Sequence, residues 1–303
     1  MLTDQPAPLP ERELRLRLAH LVRRYAYAAN LSPNALMVAP GSIQALATTP
    51  TSTDVAEQAT AYWSASALGY AGLQLRAAVD HLRGLADLLT RSPAVLPAIA
   101  VSRSVIEASA RAAALARPDL DRRQRAARGL AETLYDWAQQ QTLPSNAPES
   151  WQPLLDRALI EAQALAFKVS APRRRPRTPS EPNDLIDPVP QLLEPYMRPG
   201  ATEAIEVLLL PISSRMGRVA YELWSAAAHA TPHGLLALAA DSDSGIIFHP
   251  EEKAFVSTVA ATCAGFSFAY SNRLACTGAD ASRWTATIQR LDAAWAQLFA
   301  ARR

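Results

Sequence analysis

Along most of this chain, apolar residues recur three and four positions apart, the repeat of a helix with one buried side. Alternating β-branched runs are scarce. The pattern therefore predicts helices nearly throughout, with sheet at most a short hairpin near 241–249. A first helix is predicted over 11–30, broken by "NLSPN", and residues 40–53 are predicted as an exposed loop. Asp54, with Glu57 one turn on, has the form of a capping box and opens a long helix to about Arg91. Inside it, Ala61, Ala65, Gly69 and Gly72 form a small-residue surface that would admit a neighbouring helix. A helical glycine costs about 1 kcal/mol, and close packing would offset that.

Further helices are expected over 94–116, from Pro118 to about 141, and from a Ser150 cap to about 169. A short one starts at Thr202 and is interrupted by Pro211. "RVAYELWSAAAHATPHG", 218–234, follows, and two more run from Pro250 to 276 and over 280–301. In the last, Trp284, Ile288, Leu291, Trp295 and Leu298 fall at core spacing. Between these helices, 171–190 holds six prolines and four arginines and cannot be regular structure. The fold expected is all-α, a single multi-helix bundle with this Pro/Arg-rich loop inserted. Residues 1–53 form an N-terminal helix and loop, and 54–303 form the bundle domain.

Composition narrows the function classes. The 303 residues are 49% hydrophobic and 19% charged, enough for a large core, and the net charge of +2 gives no global pull toward nucleic acid or membrane. Lys168 and Lys253 are the only lysines, so nearly all the positive charge is arginine. No uncharged apolar stretch is long enough to span a bilayer, and the N-terminus does not read as a signal peptide. Cys263 and Cys276, on one predicted helix, lie about 20 Å apart by helical rise, which excludes a disulfide between them. A reduced, cytoplasmic protein is expected.

Two stripes carry candidate chemistry. Arg103, Glu107 and Arg111 repeat every fourth residue and fall within about 80° of arc, with Val101, Val105, Ala108 and Ala112 opposite. This is either a solvated ion-pair ladder or a crevice in which Glu107 orients two guanidiniums. On 218–229, Arg218, Tyr221, Glu222, Ser225 and His229 share about 100° of arc, while Val219, Leu223, Ala226 and Ala230 point away. Tyrosine, serine and histidine suit a half-buried network or a binding site. His229 and His233 are separated by Pro232 and have no further ligands at useful spacing, so no metal site is expected, and nothing implies a cofactor. G-x-G-x-x-G, P-loop, G-x-S-x-G and H-E-x-x-H motifs are absent from the sequence. The one dense basic cluster is Arg173, Arg174, Arg175 and Arg177, and any nucleic-acid affinity is expected to depend on it.

"SRSVIEASARAAAL", "RRQRAARGL" and "YELWSAAAHATPHG", in that order, resemble an actinobacterial family of α-helical proteins of unknown function, which is similar to HEPN-like helical proteins. The resemblance places Arg103, Ser104 and Glu107 on one helix and Tyr221, Ser225 and His229 on a later one. Some HEPN-like proteins are metal-independent ribonucleases. That mechanism would make His229 the acid or base, with Arg218 or Arg103 on the phosphoryl oxygens and Glu107 and Ser225 fixing orientation. Their signature sets the arginine much closer to the histidine than the eleven positions that separate Arg218 from His229. The reading preferred from sequence is therefore a helical binding or regulatory module. Its polar crevice would take an anionic small molecule, nucleic acid or a protein partner, without a membrane and with self-association left open. The ribonuclease is the alternative.

Overall fold

The computed structural model of the chain describes residues 11–30, 38–91, 95–141, 160–161, 168–170, 191–194, 200–210, 224–225, 239–242, 245–248 and 252–300. Among them are eight helices: α1 (Glu11–Asn30), α2 (Ile43–Thr48), α3 (Val55–Arg91), α4 (Val95–Leu115), α5 (Arg122–Gln141), α6 (Ala201–Leu209), α7 (Glu252–Thr277) and α8 (Ser282–Ala300). The all-α bundle expected from the periodicity is the fold observed. Strands β1 (Lys168–Ser170) and β2 (Gln191–Glu194) pair antiparallel, as do β3 (Ala239–Ser242) and β4 (Gly245–Phe248). The second ribbon is the hairpin expected near 241–249. The first replaces the end of a helix expected to reach 169, and its strands flank the proline-rich segment.

α3 is the spine, about 55 Å long by helical rise, and it packs against α1, α2, α4, α5 and α7. One continuous core takes Leu18 and Tyr25 from α1, Leu68 and Leu82 from α3, Ile106 from α4, and Phe266 from α7. Trp284, Leu291, Trp295 and Leu298 of α8 are buried at the spacing expected, with Ile288 packed beside them. The Tyr270 hydroxyl crosses from α7 to donate to the Ala29 carbonyl at 2.8 Å, and the Tyr270 ring lies 4.3 Å from that of Trp284.

Three local expectations are corrected. The 40–53 loop contains α2, whose N-terminus Ser42 caps by accepting from the Ala45 N–H at 3.2 Å. Glu57 does not close a box with Asp54. Its carboxylate accepts from the N–H and hydroxyl of Thr51, at 3.0 and 2.8 Å, and pairs with Arg122. Finally, α5 begins at Arg122 and not at Pro118, because Asp121 and Gln124 cap reciprocally. The Gln124 N–H donates to Asp121 Oδ1 at 2.7 Å, and the Asp121 N–H donates to Gln124 Oε1 at 3.1 Å.

Close helix approach occurs, but away from Gly69 and Gly72. A β-carbon on Gly69 would meet nothing within 4 Å, and on Gly72 only Arg273 Nε at 4.0 Å. The tight crossings are at Gly129, where a β-carbon would stand 2.1 Å from the Trp63 carbonyl oxygen, and at Gly265, 2.4 Å from Ile106 Cδ1. Gly129 thus seats α5 directly on the backbone of α3. We expect Gly129→Ala to destabilise the protein by at least about 2 kcal/mol, since backbone cannot yield as a side chain does. Gly69→Ala, on an exposed helical face, should stabilise it by up to about 1 kcal/mol. Urea unfolding of both variants checks this, and equal effects would contradict the assignment of the contact to Gly129.

Candidate functional site

α4 carries the first sequence-derived stripe. Arg103 Nε donates to Glu107 Oε1 at 2.7 Å, with side chains only 16% and 26% exposed, so the pair lies half inside the protein. Val105, Ala108 and Ala112 are buried on the opposite side, as the stripe required, and Val101 is partly so. Arg111 is half-buried and forms no ion pair with Glu107, so the expected ladder is one pair. Of the second stripe, Ser225 is half-buried, and its neighbour Trp224 is fully buried in the main core. Trp224 carries no signal in the helical pattern, because it falls on neither the polar nor the alanine-rich side. Arg218, Tyr221 and His229 lie outside the described residues, as do Arg173, Arg174, Arg175 and Arg177.

The side of α4 bearing Arg103 and Glu107 continues, within about 60° of arc, through Ala110 and Ala114. There it opens into a cleft of about 500 Å³. Small side chains make the space: Ala110, Ala113 and Ala114 of α4 face Ala204 of α6 across it. Val207 and Leu208 extend the α6 wall, and Phe268 and Asn272, one turn apart, form the α7 wall. Phe268 is 40% exposed and Val207 58%. The mouth carries Arg117, Asp119, Arg128 and Glu203. The Arg117 guanidinium grips Asp119 through two hydrogen bonds, one of 2.9 Å from Nε, and holds its carboxyl below the ordinary aspartate range. Arg128 donates to the Ala114 carbonyl.

Behind the mouth lies Arg125, with no exposed surface. Its guanidinium donates to the carbonyls of Leu115, Arg117 and Leu120 at 3.1, 3.0 and 3.1 Å. These are carbonyls at and just beyond the end of α4, where the helix dipole favours a cation. The Cys276 thiol sits 3.9 Å from this guanidinium and donates to the Ala116 carbonyl at 3.2 Å. The sequence pattern did not single out Arg125: on α5 it shares a side with Gly129 but stands about 100° and 140° of arc from Ala126 and Leu130, off the apolar side.

Among the described residues, no group of three or more His, Cys, Asp or Glu side chains could hold a metal. None of their helices is long and apolar enough to cross a membrane. Neither family models, nor curated proteins, nor solved structures yield a match to this chain.

Replacing Arg125 with alanine strands one buried and two partly buried carbonyls, and we expect a loss of about 3–5 kcal/mol. Arg125→Lys should recover only part of it, because a single ammonium cannot reproduce the planar fork. Denaturant unfolding of both variants decides this, and full rescue by lysine would show that charge alone matters. Burial also raises the thiol pKa of Cys263, and that of Cys276 against the opposing pull of Arg125 and Arg273. The folded state therefore keeps thiol protons that the unfolded chain releases above about pH 8.5, so stability should fall as pH rises beyond that point. Unfolding midpoints from pH 7 to 10 measure the trend, and a Cys263→Ser/Cys276→Ser double variant should flatten it.

Proposed function

We propose that the protein is a helical binding module. It takes a small molecule with an apolar body into the cleft between α4, α5, α6 and α7. The observation that carries this is the cleft itself. At about 500 Å³ it falls within the size range of small-ligand sites, roughly 300–1,000 Å³. Its walls are mostly alanine, valine, leucine and phenylalanine, with a few polar groups converging at the mouth, the composition that such sites favour. The Arg117–Asp119 clamp and the two arginines bound to the end of α4 fix the mouth in advance, which lowers the ordering cost of binding.

The test is calorimetric titration of the full chain with n-octanol, a neutral probe with an apolar chain. Wild type should bind with saturable heat. Ala114→Trp, which places an indole in the cleft from a half-buried position, should abolish binding while the thermal midpoint changes little. No saturable binding to wild type would overturn the proposal. Binding that survives unchanged in a stably folded Ala114→Trp protein would move it elsewhere on the surface.

A further inference from the structure

The polar groups around the cleft differ in what they are already doing. Arg117 and Asp119 are committed to each other, and Arg128 to the Ala114 carbonyl. The side chains of Glu203 and Asn272 engage neither hydrogen bond nor ion pair among the described residues. Both lie on the α6–α7 side of the cleft, where Asn272 stands one turn beyond Phe268 and its 40% exposed ring. An uncommitted carboxylate, an amide oxygen and an aromatic face are the three groups that receive an ammonium ion. An anion would instead have to compete for guanidiniums already occupied by a carboxylate or a backbone carbonyl.

Resting on the cleft as the binding site, we infer that its ligand is an amphipathic cation. A protonated amine would lie against Glu203, Asn272 and Phe268, and its apolar body would rest on Ala110, Ala114 and Ala204. This charge is the opposite of what the arginine-rich sequence suggests. The carboxylate of Glu203 stands in the first turn of α6, where the helix dipole supports its negative charge. Asn272 is half-buried, and its amide oxygen, uncommitted within the protein, can accept from a donor that the ligand brings.

The experiment compares three probes of equal chain length at pH 7, all below their aggregation concentrations: octylammonium, n-octanol and octanoate. Wild type should prefer octylammonium over octanol by about fivefold, the scale of one partly exposed ion pair, and should bind octanoate most weakly. Glu203→Gln should remove the preference and leave octanol affinity unchanged. Phe268→Ala should weaken octylammonium more than octanoate, because only the cation uses the ring face. Equal affinity for all three probes, or a preference for octanoate, overturns the cationic class while leaving the cleft as a binding site. A preference that persists in Glu203→Gln overturns the role given to that carboxylate. If none of the three binds, the cleft reading falls and the cationic ligand falls with it.

Discussion

The guanidinium of Arg125 closes the end of α4 from inside the protein, and the architecture around the cleft hangs on that closure. A helix C-terminus leaves carbonyls without partners, and burying them unsatisfied is costly. Here the buried ones meet a planar cation supplied by the next helix, so α4 and α5 cannot separate without exposing both charge and carbonyls. The same contact shapes the intervening turn. Arg117 and Leu120 contribute carbonyls to Arg125, which leaves the Arg117 side chain directed to Asp119 at the mouth. Cys276 brings α7 into the same cluster through the Ala116 carbonyl. One side chain thereby ties together three of the four helices around the cleft.

Packing explains why there is a cleft at all. Gly129 lets α5 lie on the α3 backbone, and Gly265 lets α7 close on Ile106 of α4 and Leu208 of α6. These two contacts set how near the helices come. Where the facing residues are alanine rather than leucine, that spacing leaves volume unfilled. Interiors are otherwise close-packed, so an alanine-lined gap with an exposed phenylalanine on its wall departs from the rest of the bundle.

The helices themselves were legible because each repeats over several turns and is punctuated by proline, glycine or a cap. α2 was not, since six residues are too short for a periodic signal. Nor could the sequence tell Gly69 from Gly129. Both are helical glycines, and only the position of a partner backbone makes one of them indispensable. The Arg103–Glu107 pair followed from spacing alone. The cleft did not, because it consists of missing side-chain volume, which exists only once α4, α6 and α7 are placed beside one another.

The arginines of the "RRQRAAR" run, 122–128, show how this chain uses its basic residues. Within it, Arg122 bonds the carbonyls of Ala47 and Thr49 and pairs with Glu57, Arg125 is enclosed, and Arg128 bonds the Ala114 carbonyl. Elsewhere Arg273 reaches Gln44 at 2.5 Å and Arg103 holds Glu107. The guanidinium's fork, weak hydration and permanent charge make it the side chain best suited to satisfy several carbonyls at once inside a protein. Around the cleft, arginine used in this way serves the protein's own carbonyls and carboxylates. The chemistry of the cleft is then set by what remains uncommitted there, which is a carboxylate.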